Sequence, residues 1–273
     1  MLTQSLPFGE VWRGFYFMLI TLLHNIQTAS ALLSSGFQLA RNLKKEFGVL
    51  TFVESAVDGN VQKDSLEKYF SENGFEDVKV IFSQKPVKQL AEICEENEAS
   101  FLMIQWSNSQ KKQLKNYLKY CRDLRIPYLF FKDEFTLINF EKVLVPVGFL
   151  IEDYEKTQFA SAFGRFCGSE ITILQANDYG SKAKTTVEKM KLIFDKFDFE
   201  YKVEKAKSDS FKFDKEGVLK AEKENYGVVL VSASRDYGLD DVIFGPKELH
   251  LVKKSPVPLL LINPRGDLYT LCD

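Results

Sequence analysis

Apolar runs of strand length alternate with helical stripes along the whole chain. In the first half the runs are 15–22 (FYFMLITL), 49–54 (VLTFVE), 78–83 (VKVIFS), 101–106 (FLMIQW) and 127–131 (PYLFF). Most are continuous rather than alternating. That predicts strands buried on both faces, as in a parallel sheet covered by helices. Between them, Ala29, Leu32, Leu33, Ala40 and Leu43 share one helical face. Val87, Leu90, Ala91 and Cys94 fall at i, i+3, i+4 and i+7, and Leu114, Tyr117, Leu118, Cys121 and Leu124 repeat the spacing. Each stripe reads as core packing. Segment 56–75 is weaker and predicts only a short helix over 63–73, ending near Asn73 and Gly74.

The second half repeats the order. Strands are expected at 142–147 (KVLVPV), 170–175 (EITILQ), 200–205 (EYKVEK), 228–232 (VVLVS) and 258–262 (PLLLI). Helical stripes lie between them: Phe159, Ala162, Phe163 and Phe166, then Val187, Met190, Phe194 and Phe197. Thr51 matches Thr172 at an offset of 121, Val80 matches Val203 at 123, and Pro127 matches Pro258 at 131. A period this long points to domain duplication, not a solenoid. Each half then reads β-α-β-α-β-α-β-α-β. The expected class is α/β: two tandem Rossmann-like domains, 1–137 and 138–273, each a five-stranded parallel sheet with helices on both faces. Ligands in such sheets bind at the carboxyl ends of the strands, where the strand order reverses.

Composition narrows the partners. Acidic and basic residues nearly cancel, 38 against 36, and the net charge is 0 over 1–137 and −2 over 138–273. Only 7 of the basic residues are Arg, and no nucleic-acid-reading motif occurs, so nucleic-acid binding is not expected. Four scattered cysteines, Cys94, Cys121, Cys167 and Cys272, form no CxxC pair and fit a reduced cytoplasm. The run 14–23 after Arg13 is too short to span a membrane and reads as a buried first strand rather than a signal peptide. No membrane association is expected. The two histidines, His24 and His250, read as a loop and a helix residue, with no nucleophile or orienting carboxylate identifiable beside them. No P-loop, dinucleotide fingerprint, zinc-protease motif or nucleophile elbow is present.

The second half carries KVLVPVGF, a helical stretch over 152–167, GSEITILQA, and GVVLVSASRDYGLDDVIFGPKELHLVKKSPVPLLLI. These segments resemble the universal stress protein family over 140–265. The first half shares the element order alone. The resemblance implies an adenine nucleotide alpha hydrolase-like fold and a nucleotide pocket built from Gly148, Ala176, Ser232, Arg235, Gly238 and Gly245. Family members end the first strand near an Asp and follow the fourth with G-2x-G-9x-G-(S/T). Here Ser232, Arg235 and Gly245 stand at the three glycine positions, Pro246 at the hydroxyl position and Gly148 at the Asp position. Side chains at Ser232 and Arg235 obstruct backbone approach to a phosphate, and Pro246 removes an N–H and the hydroxyl. Pro246 also suits a plain helix start, Gly238 a turn, and Arg235 an exposed or anion-contacting position. Glu152 and Asp153 read as first-turn helix acids.

From Phe75 through Val147 there is no glycine, so the first half lacks a phosphate cradle. Lys111 and Lys112 at a helix start read as a solvated face.

The resemblance and the degenerate motif together imply a non-enzymatic stress-response protein. It would act through an unidentified protein partner, with no cofactor or only weak AMP or ATP binding. The fifth strands, 127–131 and 258–262, are candidates for self-association or for pairing within one chain. The alternative is a sensor of a nucleotide or other anion in the C-terminal domain, resting on Arg235, Gly238 and Gly245.

Overall fold

A computed structural model describes residues 18–107, 111–234 and 246–265. The first half runs β1 (Met18–Leu22), α1 (Ser30–Asn42), β2 (Glu46–Phe52), α2 (Ala56–Glu72), β3 (Val78–Ser83), α3 (Leu90–Glu96), β4 (Ala99–Trp106), α4 (Lys111–Tyr120) and β5 (Tyr128–Lys132). The second runs β6 (Lys142–Val147), α5 (Lys156–Ala162), β7 (Glu170–Gln175), α6 (Lys182–Phe197), β8 (Tyr201–Lys205), α7 (Phe213–Lys223), β9 (Val228–Ser232), α8 (Lys247–Lys254) and β10 (Leu259–Ile262). The strands form one sheet in the order β3-β2-β1-β4-β5-β10-β9-β6-β7-β8. Neighbours are parallel except β5 and β10, which pair antiparallel with Leu260 opposite Leu129 and Leu261 opposite Tyr128. Both fifth strands are therefore interior, and β3 and β8 form the edges.

The continuous apolar runs have the predicted consequence. Every residue of β1, β5, β9 and β10 is buried. Successive side chains alternate between two cores, one on each face. Leu102, Ile104, Tyr128, Leu144, Val229 and Leu261 belong to one, and Met103, Leu129, Val145, Leu230 and Leu260 to the other. Each core crosses the seam between β5 and β10. A buried Leu contributes about 1.5–3 kcal/mol.

Polar groups complete that seam symmetrically. At the 131-residue offset of Pro127 and Pro258, Lys132 and Asn263 are equivalent positions. The Lys132 ammonium donates to the Ser255 carbonyl at 2.6 Å and to that of Lys253 at 3.1 Å, closing the end of α8. The Asn263 amide donates to the carbonyls of Cys121 at 2.7 Å, Leu124 at 2.9 Å and Arg122 at 3.1 Å, closing the turn after α4. Each half thus satisfies the orphan carbonyls of the other half's last helical segment.

Two helical segments differ from expectation. Helix α2 spans Ala56–Glu72 rather than 63–73, because Ser55 caps it: its Oγ accepts from the Asp58 N–H at 3.2 Å and donates to the Asp58 carboxylate at 2.5 Å. The helix expected over 152–167 is a 3₁₀ turn (Ile151–Glu155), then α5, then a π turn (Phe163–Cys167) ended by Gly168 at φ 66°. The wider π turn advances side chains less per residue, so Phe166 rotates off its stripe and is 42% exposed. Phe197 is also partly exposed and lies under the Arg165 guanidinium, 4.2 Å from its ring centroid. Expected strand positions 15–17 lie outside the described residues.

Among the described residues no helix is long and apolar enough to cross a membrane. Cys94 and Cys121 are buried and free, and Cys167 is partly buried and free. Burial pushes the Cys94 thiol up to about 12, which makes it an inert packing group.

Candidate functional site

The strand order reverses between β6 and β9 in the second half, and between β1 and β4 in the first. The carboxyl ends of these strands are where a parallel α/β sheet leaves a crevice. Here both crevices are crossed by the protein's own side chains.

In the second half, β6 ends at Val147 and the chain turns at Gly148. The Gly148 N–H donates to Asp153 Oδ2 at 2.7 Å. Asp153 Oδ1 accepts from Ser232 Oγ, at the end of β9, at 2.8 Å. The same oxygen lies 2.8 Å from Lys156 Nζ, and this ammonium also donates to the Pro146 carbonyl at 2.6 Å. The Lys156 and Asp153 side chains are 1% and 2% exposed. An ion pair so buried needs further hydrogen bonds to support its charges, and here the Gly148 N–H, Ser232 Oγ and the Pro146 carbonyl supply them. Asp214, at the start of α7, stands nearby with Oδ2 3.8 Å from Lys247 Nζ. Its Oδ1 is buried with no hydrogen-bond partner. Burial holds this carboxyl above the usual carboxylate range, against the opposing pull of Lys156 and Lys247.

A second set of contacts closes the adjoining loops. Ser210 Oγ accepts from the Phe149 N–H at 2.9 Å and donates to the Asp178 carboxylate. The Ser210 N–H donates to Asp178 Oδ1 at 2.8 Å. A Cβ added at Gly148 would lie 2.6 Å from Ser210 Oγ and 3.1 Å from the Phe213 ring, so a larger residue would make Ser210 shift. Ala176 is buried, and its N–H donates to the Val147 carbonyl at 2.8 Å.

Gly148, Ala176 and Ser232 therefore come together at the sheet's carboxyl edge. Arg235, Gly238 and Gly245 lie outside the described residues. Pro246 precedes α8 as its N-cap residue. In the first turn of α8, the buried Glu248 carboxylate accepts from the Ser234 N–H at 3.2 Å and Oγ at 2.8 Å. A carboxylate of the chain thus sits at the start of this helix, where the dipole favours negative charge.

Asp153 lies in the first turn of the 3₁₀ segment, as the sequence suggests, and its carboxylate is buried and returned to the end of β6 from five residues downstream. The motif DYEK carries an i, i+3 acid–base pair, yet exposed turns carry the same pattern. Asp214 and Ser210 had no signal in the sequence.

In the first half, Gln105 at the end of β4 plays the bridging part. Its Oε1 accepts from the N–H groups of His24 and Asn25, both at 2.8 Å. Its Nε2 donates to the Asn25 carbonyl and Thr28 Oγ1, each at 2.9 Å, and to Asp133 Oδ1 at 3.0 Å. His24 is a loop residue, as expected, with Nε2 3.0 Å from the Tyr117 hydroxyl. Burial lowers its pKa below 6.5, against the opposing charge of Asp133.

Among the described residues no group of three or more His, Cys, Asp or Glu side chains is placed to hold a metal. A cleft of about 390 Å³ is lined by Phe37, Gln38, Arg41 and Asn42. Another, of about 200 Å³, lies among Cys94, Glu95, Ala99 and Leu124. Both sit near the amino ends of strands, opposite the crevices.

This architecture has close parallels among solved structures. A universal stress protein from Archaeoglobus fulgidus superposes with a TM-score of 0.67 at 18% identity, covering 92% of this chain and 97% of its own. The chain has the universal stress protein fold. A Pseudomonas aeruginosa protein placed in the same family gives 0.59 at 11% identity, covering 94% of this chain and 96% of its own. The cytoplasmic domain of a prokaryotic cation chloride cotransporter gives 0.53 at 9% identity, covering 90% of this chain and 95% of its own. No protein-family profile matches the sequence, and no curated protein matches it.

Proposed function

We propose that this chain is a universal stress protein of two tandem domains, 1–137 and 138–273, that acts by contact with protein partners. It is not a catalyst, and it binds ATP weakly or not at all. The observation carrying this reading is the buried Asp153 carboxylate. It bridges Gly148 and Ser232 across the switch point and is neutralised by Lys156 rather than left for a ligand. The residues present do not fit a nucleotide: Ser210 and Phe213 crowd Gly148, and Glu248 puts negative charge at the start of α8. In the first half the Gln105 network occupies the equivalent crevice. The repeated strand order about the β5–β10 pair supports the tandem division.

The test is mass spectrometry of small molecules released from natively purified protein, followed by calorimetric titration with ATP and AMP. No bound nucleotide and no saturable heat are expected. Stoichiometric adenine nucleotide would overturn the reading.

A further inference from the structure

The fold leaves two sheet edges, and they differ. Among the described residues no strand pairs with the outer side of β3 or of β8. In β8 the parallel partner β7 fixes which way the backbone groups point. The Ile171 N–H donates to the Glu200 carbonyl at 3.0 Å, and the Ala206 N–H donates to the Gln175 carbonyl at 2.7 Å. Ile171 stands opposite Tyr201, and Gln175 opposite Lys205. The alternation of a parallel ladder then turns the N–H and C=O groups of Lys202 and Glu204 toward β7. Those of Tyr201, Val203 and Lys205 point away from the sheet, as an open row of donors and acceptors. Such a row is a template for another strand.

Side chains alternate across this edge. Lys202 and Glu204 share the α7 face: Lys202 Nζ lies 2.8 Å from Glu170 and 3.4 Å from Glu204, and Lys220 Nζ of α7 lies 2.8 Å from Glu204. Tyr201, Val203 and Lys205 share the other face, where the Tyr201 hydroxyl donates to Asp195 of α6 at 2.5 Å. Val203, in the middle of the strand, is 40% exposed. Edges are usually blunted by proline, by a bulge or by charge. β8 has no proline, its register with β7 is unbroken, and its two inner charges are of opposite sign.

Antiparallel partners present outward groups to outward groups, so a two-fold axis relating two copies of β8 must pass through a residue. An axis through Lys202 sets Lys202 against Lys202, and one through Glu204 sets Glu204 against Glu204. An axis through Tyr201 or Lys205 leaves most of the strand unpaired. An axis through Val203 sets Val203 against Val203, Tyr201 against Lys205, and Lys202 against Glu204 on both sides. The Lys202–Glu204 pairs then fall at non-hydrogen-bonded positions, where side chains approach most closely.

We infer that two copies of this chain pair edge to edge through β8, antiparallel about Val203, so that the sheet continues from one copy into the other. The chain already builds such a junction internally, where β5 and β10 meet antiparallel with a packed core on each face. The other edge is less suited. There the Val53 N–H donates to the Ser83 carbonyl at 3.0 Å, which turns the groups of Val78, Val80 and Phe82 outward. An axis through Val80 would set Lys79 against Ile81, covering an ammonium with no acid on the strand to meet it. Contact of β8 on one copy with β3 on another would be heterologous and would grow open chains instead of closing as a dimer.

The experiment uses the full chain and sedimentation velocity over a concentration series. Wild type is expected to pass from monomer to dimer in the micromolar range, as a contact smaller than a standard interface should, and to stop there. Val203→Pro removes an N–H that the β7 ladder does not use and should abolish the dimer. Val80→Pro makes the same change on β3 and should leave the dimer intact. Lys202→Glu and Glu204→Lys each put like charges opposite one another, and each should weaken dimerisation about tenfold. Mixed in equal amounts, those two variants restore opposite charges on both sides, so a heterodimer within about threefold of wild-type affinity is expected. Thermal melting confirms that each variant is folded, and recovery in the mixture is a gain that misfolding cannot produce. A wild type still monomeric at about 300 μM would overturn the proposal. So would a dimer that survives Val203→Pro, a mixture that dimerises no better than either charge variant alone, or open-ended growth removed by Val80→Pro. Nucleotide recovered from the native protein would overturn the proposed function without touching this pairing. A monomeric, nucleotide-free protein would overturn the pairing alone.

Discussion

Lys156→Met tests the reading that an internal ion pair fills the crevice. The Lys156 and Asp153 side chains are almost fully buried, with their charged atoms 2.8 Å apart. Without the ammonium, Asp153 keeps two donors, Gly148 N–H and Ser232 Oγ, but its charge is uncompensated. Removing one member of such a pair costs about 3–5 kcal/mol. Asp153→Asn strands the ammonium in the same way. The double variant Asp153→Asn/Lys156→Met removes both charges and is expected to be less destabilised than the sum of the singles by about 2 kcal/mol or more. Urea unfolding followed by far-ultraviolet circular dichroism measures all four corners of the cycle. Asp214 adds a pH signature. Its folded pKa lies above 3.8, so its penalty grows as pH rises from 3.8 through the folded value, and Lys156 opposes that penalty. The deficit of Lys156→Met should therefore shrink toward acid pH. A cost below about 1 kcal/mol at neutral pH, or strict additivity of the two singles, would refute the claim that this pair is desolvated and coupled.

Three further outcomes follow from other parts of the molecule. Asn263→Ala leaves the carbonyls of Cys121, Arg122 and Leu124 without their donor and should cost about 1–3 kcal/mol in urea melts; no change in midpoint would mean that water replaces the amide. Gly227→Ala would place a Cβ 1.5 Å from the Asn139 carbonyl oxygen, so a loss of about 2 kcal/mol or more is expected, and an unchanged melting temperature would show that 138–141 yields freely. His24 and His250 are the only histidines, so their ring protons can be followed by NMR. His24 should titrate with a midpoint below 6.5. Because its folded pKa is depressed, it destabilises the fold as pH falls below 6.5, and a midpoint at or above that value would contradict the burial argument.

The strands were the most legible feature, because burial on both faces leaves a continuous apolar run that little else in a chain this long produces. β3, β6, β7 and β9 begin and end at the expected residues. Helix α2 was read short because its apolar stripe is weak, while the cap that starts it is a single serine. Phe166 was read as buried because periodicity assumes a regular α turn, and the π turn breaks that assumption. In the candidate site, Gly148 and Ser232 meet through Asp153, and that bridging role was not legible, since an acid three residues before a lysine at a helix start looks alike whether exposed or buried. Gln105 gave no signal at all: its side chain makes contacts about 80 and 28 residues away in sequence.

The sequence alone determined the element order and the α/β class, because those follow from local periodicity and from where glycine and proline interrupt it. It also carries the matching positions, such as Pro127 and Pro258, on which the proposed two-domain division rests. What only the tertiary structure decided is where charge goes. Asp153, Lys156, Asp214 and Glu248 are turned inward, while Lys119, Lys253 and Lys254 remain in solvent. That sorting depends on which neighbours supply hydrogen bonds to a desolvated charge, and those neighbours are brought together across the sheet, not along the chain.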